Sequence, residues 1–271
     1  MSIKKILKQL IPPIIFTVYR RMNGHPIVWK RYETWEDAKH HSGGYDDQAI
    51  LEKCRTSRMK VRNGEAAYEI DSVIFDQPQY NWSLIAVLEH AALQSAGTLH
   101  VLDFGGSLGT TYCQNAKFLS GLGSLTWSVV EQPQFVTCGR EDFEDEVLKF
   151  YYSIAECLQE RKPNVLLLSG VMQYLDRPYE WQHELLAYGF EHIIIDRTGF
   201  SEKDDFPTVQ NVPPHIYTAS YPCWIFNQTV FLSRFMEKYE LITEIRSFDE
   251  VSYCDDGTRV EWKGFYLSRK H

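Results

Sequence analysis

The 271-residue sequence holds no apolar run long enough to span a bilayer, no concentrated basic stripe and no cysteine pair at C-x-x-C spacing. A membrane-spanning helix needs roughly 20 consecutive apolar residues, so none is expected. The formal charge of −8 opposes attraction to phosphate backbones, which excludes nucleic acid as the expected partner. Cys54, Cys113, Cys138, Cys157, Cys223 and Cys254 are scattered, so neither a zinc site nor a redox motif is indicated, no metal is expected, and reduced thiols in a cytoplasmic protein are the simpler reading. Long polar, repetitive or Pro/Ser-rich tracts are also missing, while apolar content of 44% and aromatic content of 14% suffice for a buried core.

The N-terminus places basic residues, Lys4, Lys5, Lys8, Arg20 and Arg21, around an apolar middle broken by Pro12 and Pro13. No small-residue cleavage site follows it, so it is expected to stay on the chain. Two readings stand: peripheral contact with an anionic membrane surface, or a helix packed on its own domain or on a partner subunit. Oligomeric state is left open.

Residues 1–95 read as a helical N-terminal extension and lid, and residues 96–271 as the main domain. Asn81 to Leu93 carries Leu84, Ile85, Leu88 and Ala92 on one helical face. From there strands and helices alternate: a strand at 98–104, a helix at 110–119, a strand at 125–130, a helix at 133–142, strands at 148–152 and 164–168, a helix at 181–188 and a strand at 192–195. Almost wholly apolar strands separated by helices predict an α/β fold with a doubly wound, mostly parallel sheet. After Arg197 the rhythm gives way to turn formers and aromatics, and a long insert at about 198–227 is expected to act as a substrate lid. A helix at 228–239 and an antiparallel strand pair at 241–248 and 264–268 complete the pattern.

The strongest motif runs Val101-Leu102-Asp103-Phe104-Gly105-Gly106-Ser107-Leu108-Gly109-Thr110: a strand, an acid at its end, a glycine-rich turn, then a helix. Glycines permit positive φ and close approach of a ligand, and helix-terminal N–H groups supply fixed donors. The spacing is not the G-x-G-x-x-G of dinucleotide sites. A carboxylate before the turn repels a pyrophosphate and attracts an ammonium, which favours S-adenosyl-L-methionine. Glu131, followed by Gln132 and Pro133, ends the next strand. There a carboxylate can accept hydrogen bonds from both hydroxyls of a ribose, or serve only as a helix-start acid.

These residues resemble the acid-x-Gly-x-Gly-x-Gly motif of class I S-adenosylmethionine-dependent methyltransferases, with Ser107 at the middle glycine. More narrowly, Asp103–Gly109, Val129–Pro133, Leu168–Leu175, Ile195–Thr198 and Ile216–Pro222 resemble a bacterial methyltransferase family associated with O-antigen and surface-polysaccharide gene regions. The resemblance implies a Rossmann-like seven-stranded sheet with a reversed last strand. It also implies donor contacts from Asp103, Gly105, Gly106, Ser107 and Gly109, ribose contacts from Glu131 beside Gln132, adenine contacts near Ser153 and Ile154, and a methionine side lined by Ser169 and Gly170.

For the acceptor, a small carbohydrate-derived molecule or glycan is expected. Asp196 and Arg197 leave the fifth strand and would either orient a hydroxylated or anionic substrate or brace the insert. His215 is a candidate base or an ordinary loop histidine. Tyr217, Tyr221 and Trp224 would stack on a sugar or form the insert's own core, and Gln173 and Tyr174 are placed to face the acceptor. The alternative of a different class is a non-catalytic methyltransferase-like scaffold in a glycan-assembly complex.

Overall fold

The computed structural model describes residues 28–43, 47–212, 219–246 and 251–270. Its strands are β1 (Val28–Trp29), β2 (Tyr68–Ile70), β3 (Val73–Phe75), β4 (Thr98–Phe104), β5 (Ser124–Val130), β6 (Leu148–Tyr151), β7 (Val165–Ser169), β8 (His192–Ser201), β9 (Phe206–Asn211), β10 (Ser220–Asn227), β11 (Tyr239–Arg246), β12 (Ser252–Cys254) and β13 (Arg259–Arg269). Its helices are α1 (Trp35–His41), α2 (Asp47–Arg62), α3 (Trp82–Gln94), α4 (Thr110–Leu119), α5 (Pro133–Asp142), α6 (Ile154–Glu160), α7 (Pro178–Ala187) and α8 (Gln228–Ser233).

Seven strands form the expected frame in the order β6-β5-β4-β7-β8-β13-β11. From β6 to β8 all neighbours are parallel, and β13 runs antiparallel to both β8 and β11. The last strand is therefore the reversed one. Side chains alternate between two cores: Val165 and Leu167 of β7 face one, Leu166 and Leu168 the other. Helices α3, α4 and α5 cover the first core, and α6, α7 and α8 the second. Burial on both faces is why these strands are continuous apolar runs.

Two departures from the sequence-based picture matter for the site. Among the described residues the sheet has eleven strands rather than seven, because β1 joins β12 at one edge and β9 and β10 are added beside β8. In residues 198–212 and 219–227 the chain is accordingly not irregular: β8 continues to Ser201, and β9 and β10 form an antiparallel ladder from Ser220↔Asn211 to Ile225↔Phe206. The prolines that suggest irregular chain, Pro207 and Pro222, sit opposite Trp224 and Val209. Those two pairs are alternate rungs of the same kind, where a missing N–H costs no ladder bond. The second departure is in the N-terminal extension, where β2 and β3 form a hairpin whose turn residues, Asp71 and Ser72, both have positive φ (48° and 67°), as a tight two-residue hairpin turn demands. The helix expected at 228–239 ends at Ser233.

The central strand β8 carries a bulge. Thr198 pairs with Lys263 and Ile195 with Phe265, so Asp196 and Arg197 together face the single residue Gly264. Bulges re-aim side chains and often stand beside functional sites. Arg197 takes φ +54°, a left-handed conformation costing about 1–2 kcal/mol for a residue with a Cβ. Gly264 makes this possible, since a Cβ there would collide with the Ile195 carbonyl and the Asp196 backbone.

Gly264→Ala is expected to destabilise the protein by more than about 3 kcal/mol in urea denaturation. Gly121, with open space around its would-be Cβ, is the matched control, and Gly121→Ala should change the midpoint little.

Candidate functional site

The strand order places β4 next to both β5 and β7. The chain leaves β4 toward β5 and, after β6, returns to the other side of β4 at β7. In open α/β sheets the crevice beyond the carboxyl ends at such a switch point is where ligands bind. Register lines the candidate residues up. Phe104 pairs with Val130 and Val130 with Tyr151, Asp103 pairs with Leu167, and Ser169 pairs with Asp196. The row just beyond therefore brings Gly105, Glu131, Ser169 and Asp196 to one edge of the sheet. Backbone bonds continue the rungs, with Gly105 N–H donating to Val130 O at 2.9 Å and Gly170 N–H to Asp196 O at 2.9 Å.

Asp103 sits beneath the turn, 1% exposed. Trp127 Nε1 donates to its Oδ2 at 2.9 Å. A Cβ on Gly106 would stand 2.5 Å from the Asp103 carboxyl carbon, so the turn lies directly on the carboxyl and only glycine fits there. Burial pushes the Asp103 carboxyl up to about 7; the Trp127 bond opposes this and the nearby Glu131 charge adds to it. Asp103 therefore lies under the turn, covered by it.

The turn itself is left-handed at Gly105 (φ +74°), Ser107 (φ +52°) and Gly109 (φ +74°). Ser107 adopts the conformation of the glycine it replaces. Gly105 passes tightly against Val171, and Gly109 against Leu148. Gly109 starts α4 with no side-chain cap.

Glu131 is half-buried, with its carboxyl raised above the ordinary value by burial, an effect the Gln132 N–H offsets in part by donating to Oε2 at 3.0 Å. Gln132 is exposed. Ser153 is exposed and caps α6, its Oγ accepting from Glu156 N–H at 3.1 Å, while Ile154 is buried beside it. Ser169 is partly exposed, and Gly170 bends the chain with φ +65°.

On the acceptor side, Asp196 is 1% exposed and its Oδ2 accepts from Asn81 Nδ2 at 3.1 Å. Arg197 reaches away to Asp71 in the β2–β3 turn, with Nη1 at 3.1 Å from Oδ1 and Nη2 paired to Oδ2. It braces the hairpin. The hairpin is fixed below by Glu69, whose carboxylate accepts from Thr110 Oγ1 and from Ser72 N–H. Tyr221 packs edge-on to Tyr174 at 5.2 Å, and the Tyr174 hydroxyl donates to Gln210 Oε1 at 2.6 Å. Gln173 donates to Arg197 O at 3.0 Å and leaves its buried Oε1 unpartnered among the described residues. Trp224 stacks on Trp35 at 5.4 Å and donates to Leu175 O, so its ring is taken up in packing. His215 and Tyr217, like residues 1–27, lie outside the described residues.

Sequence reasoning missed Trp127, Asn81 and Asp71. Trp127 was findable: it lies on the strand beside β4, two residues before Val129, the rung partner of Asp103. Asn81 carries only the signal of a helix cap, which it also is, its Oδ1 accepting from Leu84 N–H. Among the described residues there is no cluster of three or more His, Cys, Asp or Glu fit to hold a metal ion, and no helix long and apolar enough to cross a membrane.

No protein-family model and no curated protein matches this chain. Solved structures with a similar backbone include the N-terminal domain of EvdMO1, crystallised in the presence of SAH and D-fucose, at 9% identity and TM-score 0.49, covering 84% of this chain and 98% of that one. A S-adenosylmethionine-dependent methyltransferase from Clostridium acetobutylicum aligns at 7% identity and TM-score 0.45, over 71% of this chain and 93% of its own. Magnesium protoporphyrin IX methyltransferase from Synechocystis, solved with bound SAM, aligns at 10% identity and TM-score 0.42, over 100% and 98% of the two chains.

The raised Asp103 carboxyl has a direct consequence for stability. The folded state binds its proton more tightly than the unfolded chain, so stability is full below about pH 4 and is lost as pH rises through about 7. The loss is on the order of a few kcal/mol. In Asp103→Asn the amide oxygen still accepts from Trp127 and the charge is gone. Urea midpoints at pH 5 and pH 8 should fall for the parent and stay nearly level for the variant.

Proposed function

We propose that the protein binds S-adenosyl-L-methionine at the β4–β7 switch point and transfers its methyl group to a small, carbohydrate-derived acceptor. One observation carries the reading: two desolvated carboxyls, Asp103 and Glu131, stand beside one glycine turn at the carboxyl edge of the sheet, Asp103 beneath the turn and Glu131 at the end of the next strand. Their combined charge favours a ligand that is itself cationic and opposes a pyrophosphate. Such a ligand also offers an ammonium to the turn and two ribose hydroxyls to Glu131. The residues present therefore fit the donor.

When bound, the donor supplies an electrophilic methyl group. The protein's own residues bind, orient and manage one proton. The Gly105–Ser107 turn and buried Asp103 hold the amino-acid end, Glu131 accepts from the ribose, and Ser153 and Ile154 border the adenine side. Gly170 and Ser169 shape the floor. Asp196, at the same edge and oriented by Asn81, receives the proton of an acceptor hydroxyl. Tyr174, Tyr221 and Gln173 wall the acceptor side, and the β2–β3 hairpin, held by Arg197, limits entry of water. A role in surface-polysaccharide assembly is the cellular setting we propose.

Calorimetry with S-adenosyl-L-methionine and S-adenosylhomocysteine tests the donor. Both should bind, and Glu131→Gln should weaken each by about tenfold or more, the effect of one charge-assisted hydrogen-bonding group. Absence of binding in a folded protein rejects the enzyme and leaves a non-catalytic scaffold. With labelled donor and a panel of nucleotide sugars, glycans and lipid-linked saccharides, Asp196→Asn should keep donor affinity and lower turnover by about 100-fold or more.

A further inference from the structure

Outside the crevice one basic side chain stands in an unusual position. Arg58, on α2, is 7% exposed. Its Nε is buried without a hydrogen-bond partner among the described residues. The ring of Phe143 lies 5.3 Å from the guanidinium, and the Glu69 carboxyl is near enough for the Arg58 charge to favour its ionised form. A cation–π contact of this kind returns about 0.5–2 kcal/mol, against several kcal/mol for desolvating an ion. With no acid hydrogen-bonded to it among the described residues, the guanidinium keeps donors for an anion.

Arg58 borders a cavity of about 100 Å³, lined also by Lys117, Gln114, Thr110, Tyr68 and Tyr80. Lys117 is exposed, stands 4.2 Å from the centre of the Tyr80 ring and makes no ion pair among the described residues. Two cations thus line one cavity, and among the described residues neither is hydrogen-bonded to an acid. The acid in its lining, Glu69, has both oxygens engaged by Thr110 and Ser72; burial raises its carboxyl above the ordinary value, and the nearby Arg58 charge opposes that rise. The volume is far below the roughly 300 Å³ of pockets that enclose a whole small molecule, so the cavity suits one oxyanion group. An Arg fork and a Lys point charge are the usual pair for a phosphoryl group. The cavity reaches Thr110, the residue after the glycine turn, and Glu69, next in the hairpin to the strand-end residues leading to Asp71. A group held there belongs to a molecule that can extend toward the acceptor side.

We infer that Arg58 and Lys117 form a phosphate-binding subsite that holds the phosphoryl group of a phosphorylated acceptor. The subsite stands on its own geometry; its assignment to the acceptor rests on the methyl-transfer reading.

The test uses the full chain without donor. Inorganic phosphate, titrated by calorimetry and by phosphorus NMR, should bind, with Lys117→Gln weakening it about tenfold and Arg58→Met abolishing it. Lys162→Gln, at an exposed position elsewhere, should leave it unchanged. In phosphate-free buffer Arg58→Met should melt at or above the parent temperature, because it removes a buried charge; a lower melting temperature would mean that Arg58 is structural and would overturn the proposal. So would the absence of phosphate binding, or binding that neither variant weakens. A sugar 1-phosphate that binds tighter than inorganic phosphate, and loses that advantage in Lys117→Gln, supports the acceptor assignment, whereas equal or weaker binding overturns it. S-adenosylhomocysteine binding is read separately, so a failure of the donor reading and a failure of the subsite give different results.

Discussion

The site is organised by a turn lying on a buried charge. Gly106 rests against the Asp103 carboxyl, and Trp127 holds that carboxyl from the neighbouring strand. Neither a larger residue at position 106 nor a flexible acid at 103 would keep the turn in place. The cost of burying the carboxyl is expressed in its raised affinity for a proton. A cationic ligand above the turn would lower that cost.

From this centre the structure extends along one row of the sheet. Glu131 stands on one side and Ser169 and Asp196 on the other, set by parallel register rather than by any local motif. The bulge on β8 then separates the work of two adjacent residues. Asp196 stays buried at the site with Asn81, while Arg197 turns out to hold Asp71 and the hairpin. Strain at Arg197 is tolerated because Gly264 lets the strands close over it. Backbone strain kept next to a candidate reaction site is a common sign of function.

Much of this was legible in the chain. Periodicity and turn chemistry located β4, α4 and α5 to the residue, since an apolar strand bounded by glycines and a helix begun by Pro133 are local signals. Asp103, Glu131 and the glycine turn were likewise readable, because their spacing follows from one strand–turn–helix unit and the next. What escaped depends on partners distant in sequence. The β9–β10 ladder was hidden by Pro207 and Pro222, whose harmlessness appears only when their rungs are known. The bulge is fixed by Gly264, on a strand far along the chain, and the burial of Arg58 is a property of its surroundings alone. The role of Arg197 as a brace was weighed from sequence toward the insert; its pairing with Asp71 of the β2–β3 turn was not, because that partner is distant in the chain.

The most direct measurement is a crystal structure of the protein with S-adenosylhomocysteine. The account predicts the amino-acid end over Gly105–Ser107 with Asp103 beneath it, and both ribose hydroxyls on Glu131. A ligand bound with Glu131 out of reach, or lodged away from the carboxyl ends of β4 and β7, would contradict it.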